Sequence, residues 1–215
     1  MPSLHFAAPL CAWLTAHGTS CIELVAFLFG AVSVYLSVRQ KIWSWPTAIV
    51  NVGLYAYIFG TRGYYSDAGL QVVYLALSVY GWVHWLHGGE NHGTLPVSRA
   101  SRRTWAVCAV VGVALWLALG AFTSTLPNAQ RPFTDAALTS TSLVAQWMMT
   151  RKLVESWILW IAVDLVYVPL WLAADLPLTA LLYGIFLVLA VMGWREWRRD
   201  IARRHAAQED LHAAA

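Results

Sequence analysis

The sequence predicts an all-α polytopic membrane protein with seven transmembrane helices, and three observations support this class. Of its 215 residues, 59% are hydrophobic and only 12% are charged, which is about half the charged fraction of an ordinary soluble domain. Apolar segments recur along the chain between short polar joints, and the basic residues are concentrated in alternate joints. A soluble domain of this length would need more charge to cover its surface.

Each predicted span is an apolar segment long enough to cross the hydrocarbon core, which takes roughly 20 residues of helix. The seven spans are predicted at residues 21–38, 43–60, 67–87, 104–123, 133–150, 153–173 and 176–194. Residues 1–20 are interpreted as a short N-terminal interfacial segment, residues 21–195 as one seven-helix domain, and residues 196–215 as a polar cytoplasmic tail.

The basic residues test this count, because cytoplasmic joints of membrane proteins are enriched in Lys and Arg. Twelve of the 14 basic residues fall in the joints on one predicted side, and only Arg62 and Arg131 fall on the other. A missed or invented span would break this alternation. We therefore predict that the N-terminus lies outside and that the C-terminus lies in the cytoplasm.

The second half of the chain repeats features of the first. We take Asn51 and Asp164 as matching anchors, and each is followed by a Gly-Trp-x-x-Trp segment, at 81–85 and 193–197. Repeat one then covers 21–87, span 104–123 is a linker helix, and repeat two covers 133–194. Since both repeats begin outside, they are parallel triple-helix repeats in a SWEET-like 3+1+3 arrangement, which predicts a transporter with its site between the repeats. The tryptophans of the two Gly-Trp-x-x-Trp segments are predicted to be interfacial anchors.

The sixth span carries the most informative polar residue. Trp157, Trp160, Asp164 and Tyr167 recur at intervals of three or four residues, which places them on one helix face. No Lys or Arg lies within a predicted span to pair with Asp164. An intramembrane acid either pairs with a neighbouring helix or faces a solute pathway, and we favour the second interpretation.

Further polar side chains lie within the other spans. Asn51 is either interhelical glue or part of the site, and Gln71 in the third span is a further candidate, while Tyr74 and Tyr183 lie on the polar faces of their spans. Aromatic faces attract cations, a carboxylate supplies the counter-charge, and amides can bond hydroxyls or a carboxamide. These residue types together predict a small, polar, aromatic and cationic solute.

Several other classes of protein are excluded. A net charge of +3 does not suit a nucleic-acid partner, and three cysteines are too few for a disulfide scaffold. A retinal protein needs a Lys in its last span, and residues 176–194 contain none. No nucleophile–base pair or metal-ligand spacing is evident, so we expect no enzyme activity, no cofactor and no metal.

The same residues resemble a known family, the PnuC vitamin transporters, over roughly residues 21–197. The resemblance rests on the motifs Trp43-x-Trp45-Pro46, Asn51-x-x-Leu54-Tyr55, Tyr65-Ser66-Asp67-Ala68-x-Leu70-Gln71-x-x-Tyr74, Tyr80-Gly81-Trp82 and Trp157-x-x-Trp160-x-x-x-Asp164-x-x-Tyr167. The spacing on the sixth span is the most specific of these motifs.

The resemblance implies a 3+1+3 fold in a bacterial inner membrane and uptake of nicotinamide riboside by facilitated diffusion, without ion or ATP coupling. Net import would be drawn by a cytoplasmic riboside kinase that phosphorylates the solute. The family also admits a homotrimer surrounded by membrane lipid, and thiamine or riboflavin remain alternative solutes. The site residues that the resemblance implies are Trp157, Trp160, Asp164, Asn51 and Gln71, followed by Tyr167, Tyr74 and Tyr183.

Overall fold

The computed structural model of the chain describes residues 20–63, 65–126, 131–173 and 177–213. Within these ranges the protein consists of seven α-helices and one short 3-10 helix, Glu90–His92, which confirms the all-α prediction. The predicted interfacial segment lies outside the described residues, apart from Ser20. The helices are α1 (Cys21–Val38), α2 (Ser44–Thr61), α3 (Tyr65–His87), α4 (Arg102–Ser124), α5 (Pro132–Thr150), α6 (Ser156–Ala173) and α7 (Pro177–Ala213).

The first six helices match the predicted spans within three residues at each end, but α7 differs. Its apolar part was predicted to end at residue 194, and the helix continues without a break to Ala213. The extension is polar, so the end of the hydrophobic stretch does not mark the end of the helix. By length and apolar composition, four helices of the described chain qualify as membrane spans, namely α1, α4, α6 and α7.

Local sequence explains where α1 begins. Ser20 caps α1 by accepting a hydrogen bond from the Glu23 backbone N–H at 3.3 Å, and the Glu23 carboxylate accepts one from the Ser20 N–H at 2.8 Å. This reciprocal pair satisfies two backbone donors that a helix start leaves open. Glu23 also forms a 2.7 Å ion pair with Arg62, which ties the start of α1 to the end of α2.

The helices pack as two triplets that face each other. In the first triplet α2 packs against α1 and α3, and in the second α6 packs against α5 and α7. The triplets meet where α1 contacts α7 and where α3 contacts α5. Helix α4 packs against α5 and buries only Cys108 and Gly120, so it lies at the periphery. The tertiary contacts therefore group α1–α3 and α5–α7 around a peripheral α4, and the parallel repeat with its bounds stays a prediction.

Four tryptophans form the centre of the core at one end of the bundle. Trp45 meets Trp85 edge to face at 5.2 Å between ring centroids, Trp157 meets Trp197 at 5.4 Å, and Trp85 lies 5.8 Å from Trp197. Each of the four is at most 3% exposed. The prediction that Trp85 and Trp197 are interfacial anchors is therefore wrong. Both residues lie on the inward-facing side of their helices, α3 and α7, and their side chains pack in the core.

The indole N–H groups of this cluster bond across the two triplets. Trp85 Nε1 donates to the Met149 carbonyl of α5 at 3.0 Å, and Trp197 Nε1 donates to the Ser37 carbonyl of α1 at 3.1 Å. In both cases the acceptor is the last residue but one of the first helix in the opposite triplet. An equivalent indole–carbonyl hydrogen bond therefore runs in each direction between the two triplets.

These matched contacts set the register of the repeat. Trp45 packs on Gly81 and Trp157 packs on Gly193, and the two tryptophans are as far apart in the chain as the two glycines. With this spacing Asn51 corresponds to Val163, and not to Asp164. The predicted pairing of Asn51 with Asp164 is therefore one residue out of register, since the side chains that pack in the core, and not the polar ones, determine which positions match.

The four tryptophans lie at the end of the bundle that also holds the basic joints. The loop after α3 is attached here to the α5–α6 joint, because Ser98 N donates to the Lys152 carbonyl and Val154 N donates to the Ser98 carbonyl. Arg204 of α7 donates to the Val97 carbonyl at 2.8 Å. We call this end, which holds residues 39–43, 88–101 and 151–155, the basic end.

Candidate solute-binding site

A large cavity of about 560 Å³ lies between the two triplets. Its walls come from α1, α2, α3, α5, α6 and α7, and no residue of α4 contributes. All eight residues predicted from the sequence line it, namely Asn51, Gln71, Tyr74, Trp157, Trp160, Asp164, Tyr167 and Tyr183. A concave, largely apolar chamber with a few polar groups is the usual form of a small-molecule site.

The wall formed by α6 is the aromatic face predicted from residue spacing. Trp160, Asp164 and Tyr167 occupy successive turns of this helix and all line the cavity. Asp164 is buried, with 4% of its surface exposed. The local helical periodicity alone brings these three side chains together, because residues three and four positions apart share a face.

Asp164 has no cationic partner in the described structure. The two ion pairs there, Glu23 with Arg62 and Asp200 with Arg204, both lie away from the cavity. Among the described lining residues there is no Lys, Arg or His, and Asp164 is the sole acid. Burying a carboxylate without a counter-charge is costly. The cavity therefore offers one carboxyl group, whose ionised form a positively charged solute would stabilise.

The aromatic side chains above Asp164 continue into α7. Tyr167 and Tyr183 lie 4.6 Å apart between ring centroids, and Trp171 stacks at 6.3 Å on each of them. Tyr183 in turn meets Phe186 edge to face at 6.1 Å. This cluster presents ring faces and edges to a planar solute, which aromatic pairs accommodate in stacked or edge-to-face geometry.

Asn51 serves the fold and lines the cavity at the same time. Its Nδ2 donates to the Ala26 carbonyl of α1 at 2.6 Å. The close approach depends on Gly30, since a Cβ atom there would lie 2.8 Å from Nδ2. One N–H of the amide is thus bonded to α1, which leaves the second N–H and the amide oxygen for a solute. The interhelical role of Asn51 is confirmed by this bond, and its role in binding stays a prediction.

Gln71 and Tyr74 line the chamber from α3. Both are half-buried. Gln71 makes no hydrogen bond with another side chain in the described part of the protein, so its amide can both donate and accept. The chamber therefore has an acid on the α6 wall and an amide on the α3 wall.

Sequence reasoning missed the floor of the chamber at the basic end. Trp45, Ser44 and Ser78 line the cavity together with Trp157. Their buried polar atoms have no hydrogen-bond partner in the described structure, and these atoms are Ser44 Oγ, Trp45 Nε1, Ser78 Oγ and Trp157 Nε1. A buried polar group without a partner costs about 1–3 kcal/mol. The repeat match between Trp45 and Trp157 was the signal that could have identified Trp45.

Similarity to known proteins identifies the family of this chain. A family model described as nicotinamide mononucleotide transporter matches residues 20–199, which is most of the chain. The chain belongs to the PnuC family of membrane transporters. This family match covers α1 to α6, α7 as far as residue 199, and every residue that lines the cavity.

Individual relatives of this PnuC-family chain differ in the solute that their names give. It is 31% identical to the riboflavin/roseoflavin transporter RibM of Streptomyces davaonensis, over 83% of this chain and 86% of that protein. It is 29% identical to the nicotinamide riboside transporter PnuC of Escherichia coli K12, over 86% and 88% of the two chains. It is also 29% identical to PnuC of Neisseria mucosa, over 88% and 76%.

The fold is also that of a solved family member. The crystal structure of the vitamin B3 transporter PnuC superimposes with a TM-score of 0.70 at 25% sequence identity, and the match covers 93% of this chain and 90% of that one. The PnuC-family chain is therefore a multi-pass membrane transporter for a small vitamin-like molecule, and the relatives that it matches are named as transporters.

Proposed function

We propose that this protein takes up nicotinamide riboside by facilitated diffusion. The observation that carries the proposal is Asp164, a buried carboxylate on an aromatic wall with no cation among the described lining residues. Nicotinamide riboside is a pyridinium cation, so its ring supplies the missing positive charge. The ring also stacks favourably on indole and phenol faces, because their π-systems attract cations.

The remaining polar groups of the chamber suit the rest of this molecule. The Asn51 oxygen and the Gln71 amide lie on walls other than that of Asp164, where they can bond a carboxamide or ribose hydroxyls. A site that hydrogen-bonds such groups discriminates strongly against solutes that lack them, because its own buried groups are then left unpaired. This arrangement supports a polar nucleoside over a simple apolar ring.

A phosphorylated nucleotide suits the chamber less well. A phosphate monoester carries a charge of about −1.5 to −2 at neutral pH, and the described lining offers it one carboxylate and no basic side chain. The same argument gives a reason for one-way accumulation. Once a cytoplasmic riboside kinase has phosphorylated the solute, the product is repelled by Asp164 and does not return through the chamber, so net import needs neither ATP nor an ion gradient at the transporter.

Riboflavin is the alternative that a specific observation favours. The riboflavin/roseoflavin transporter RibM is 31% identical to this chain, and the cavity of about 560 Å³ is also large enough for a tricyclic ring. A neutral isoalloxazine does not use the charge of Asp164, however. Thiamine, a cationic aromatic vitamin, does use it and is the third candidate.

A titration of the purified protein with nicotinamide riboside, thiamine and riboflavin tests the proposal. Nicotinamide riboside is expected to bind most tightly, and Asp164→Asn should weaken its binding at least tenfold while it leaves riboflavin binding unchanged. The matched control is Asp135→Asn, which removes an acid at the start of α5 that does not line the cavity. Tighter binding of riboflavin than of the riboside would overturn the proposal.

Transport and chemistry are checked in the same preparation. Proteoliposomes without a gradient should equilibrate the riboside across the bilayer and then stop, and the solute should be recovered chemically unchanged. Accumulation above the outside concentration is expected only when a riboside kinase and ATP are enclosed. Accumulation in their absence would contradict facilitated diffusion.

We also propose an orientation in a bacterial inner membrane, with the N-terminus outside and the basic end in the cytoplasm. The basic joints at one end of the bundle support this placement, and the assembly is proposed to be a homotrimer. Labelling of single introduced cysteines in intact cells tests the orientation. A cysteine at position 62 is expected to react with a reagent added outside, and a cysteine at position 102 is expected to react only from the cytoplasmic side. Crosslinking in membranes tests the trimer.

A further inference from the structure

One face of α7 is apolar and exposed along its length. Leu181, Ile185, Val188 and Met192 are 62%, 42%, 59% and 46% exposed, and they recur every three or four residues, so they form one stripe. The opposite face of the same helix packs into the core through Ala190, Trp197 and Ile201. The stripe therefore faces the surroundings of the bundle, which in a membrane are acyl chains.

The stripe continues directly into a cluster of arginines. Arg195 and Arg199 follow Met192 at intervals of three and four residues, so they extend the same face, and Arg198 lies beside them. Together with Trp194 and Ala202 they line a surface groove of about 270 Å³. The Arg198 guanidinium lies 4.8 Å from the ring centroid of Trp194, which keeps this cation next to an indole at the edge of the apolar stripe.

The length of the stripe matches one leaflet of a bilayer. The rise of about 1.5 Å per residue gives roughly 16 Å between Leu181 and Met192, and half of the hydrocarbon core is about 15 Å. A phospholipid whose phosphate lay among the arginines would therefore extend its acyl chain along the stripe. Basic pockets at the ends of transmembrane helices bind anionic headgroups in this way.

These arginines are also available for an outside ligand. At the same end of the bundle Arg204 is bound to the Val97 carbonyl and to Asp200, and Lys152 donates to the Leu95 carbonyl. Within the described residues, no hydrogen bond or ion pair engages Arg195 or Arg199, and both are exposed. The groove thus presents uncommitted positive charge where the apolar stripe ends.

We propose that this face of α7 binds an anionic phospholipid, with the phosphate among Arg195, Arg198 and Arg199 and an acyl chain along residues 181–192. The site is separate from the solute cavity, and none of its arginines lines that cavity. The proposal is therefore independent of which vitamin is carried.

Native mass spectrometry of the full chain in detergent tests the site, with dioleoyl phosphatidylglycerol and dioleoyl phosphatidylcholine as probes. Wild-type protein should retain phosphatidylglycerol at least tenfold more tightly than phosphatidylcholine. The triple variant Arg195→Gln/Arg198→Gln/Arg199→Gln should lose this preference, because each basic residue near an anionic lipid contributes on the order of fivefold in affinity. Equal retention of the two lipids by wild-type protein would overturn the proposal.

The matched control replaces three arginines at the same end that lie outside the groove, as Arg99→Gln/Arg102→Gln/Arg103→Gln. All three are exposed, and the control should keep the preference for phosphatidylglycerol. If both triple variants lost the preference for phosphatidylglycerol equally, overall charge would explain the preference, and a specific lipid site would be contradicted. If the α7 triple variant does not fold, the single variants Arg195→Gln and Arg199→Gln are each expected to lose about fivefold.

The apolar half of the proposal has its own test. Glycerol 3-phosphate carries the headgroup chemistry without acyl chains, and it should not displace phosphatidylglycerol at the same concentration. Displacement by glycerol 3-phosphate would show that the groove takes a free phosphate, and the lipid assignment would then be wrong. Solute binding by the α7 triple variant is expected to equal that of wild-type protein.

Discussion

Trp157 packs directly on the backbone of Gly193, so closely that a Cβ atom added to this glycine would lie 2.5 Å from Cε2 of the indole. Trp45 and Gly81 make the same contact in the first triplet. Each tryptophan is thereby wedged between the second and third helix of its triplet, and both also form the floor of the cavity. The contact joins the core of the protein to its solute site.

Replacement of Gly193 should disturb both the packing of the core and the solute site. Gly193→Ala is expected to lower the free energy of unfolding by about 1–3 kcal/mol, because overpacking forces neighbouring side chains from their positions. It should also weaken solute binding, since Trp157 must move. Thermal unfolding and solute titration in detergent measure the two effects. Gly184→Ala is the control on the same helix, with nothing within 4 Å of its added Cβ atom, and an equal loss there would contradict the packing argument.

Trp160 should contribute to binding without contributing much to stability. It is partly buried and lines the cavity, so Trp160→Ala is expected to lower the affinity for a cationic solute about tenfold, through the loss of a cation–π and stacking surface. Trp160→Phe should restore part of the affinity. Trp43→Ala is the control, because Trp43 is 69% exposed and does not line the cavity. Wild-type affinity in Trp160→Ala would remove this residue from the site.

The two indole hydrogen bonds across the triplets should be equivalent in energy. Trp85→Phe and Trp197→Phe each remove one indole donor, from the Met149 or the Ser37 carbonyl, and each carbonyl keeps a backbone N–H donor. Each variant is expected to lose about 0.5–1.5 kcal/mol of unfolding free energy, the usual net contribution of one hydrogen bond. The same change at Trp82, which is 37% exposed, should have little effect.

The double variant of this pair adds a further check. Trp85 and Trp197 lie 5.8 Å apart between ring centroids, so their energies should not be additive, as is usual for residues in contact. Strict additivity in a double-mutant cycle would indicate that the two triplets are stabilised independently.

Lys152 should make stability depend on pH. It lies in the α5–α6 joint, is 7% exposed, and its ammonium group donates to the Leu95 carbonyl at 2.9 Å and lies 4.7 Å from the Trp85 ring centroid. Burial lowers its pKa from the usual 10.5 to about 8, an effect that Asp200 partly offsets and Arg204 reinforces. Between these two values the unfolded chain binds a proton that the folded protein does not.

The free energy of unfolding is therefore expected to rise as the pH increases from about 8 towards 10.5, by at most about 3 kcal/mol from this group. Below pH 8 the full cost of the buried ammonium is present. Unfolding at pH 7.5 and 9.5 measures the rise, and Lys152→Met should abolish this component. Lys41→Met is the control, because Lys41 is exposed. A rise that survives in Lys152→Met would assign it to other groups.

Features that depend on neighbours along the chain were predictable. Apolar segments, basic joints and the three-to-four-residue spacing of Trp160, Asp164 and Tyr167 follow from helix length, membrane thickness and helical periodicity. Features that depend on which residues face each other across two helices were not predictable. Trp85 and Trp197 looked like interfacial anchors because their side of the helix could not be inferred from their place at its end. Asn51 looked equivalent to Asp164 because both are polar residues in matching helices.

The order of residues alone predicts a seven-helix membrane protein, an acid among aromatic rings on one helix, and basic residues at one end of the bundle. Local periodicity and the cost of burying charge suffice for these conclusions. Packing between the helices accounts for the other features of the site. It brings Asn51, Gln71 and Asp164 around one chamber and places Trp45 on Gly81 and Trp157 on Gly193 beneath it. These relationships depend on how closely two backbones approach, and that distance is a property of packing between helices.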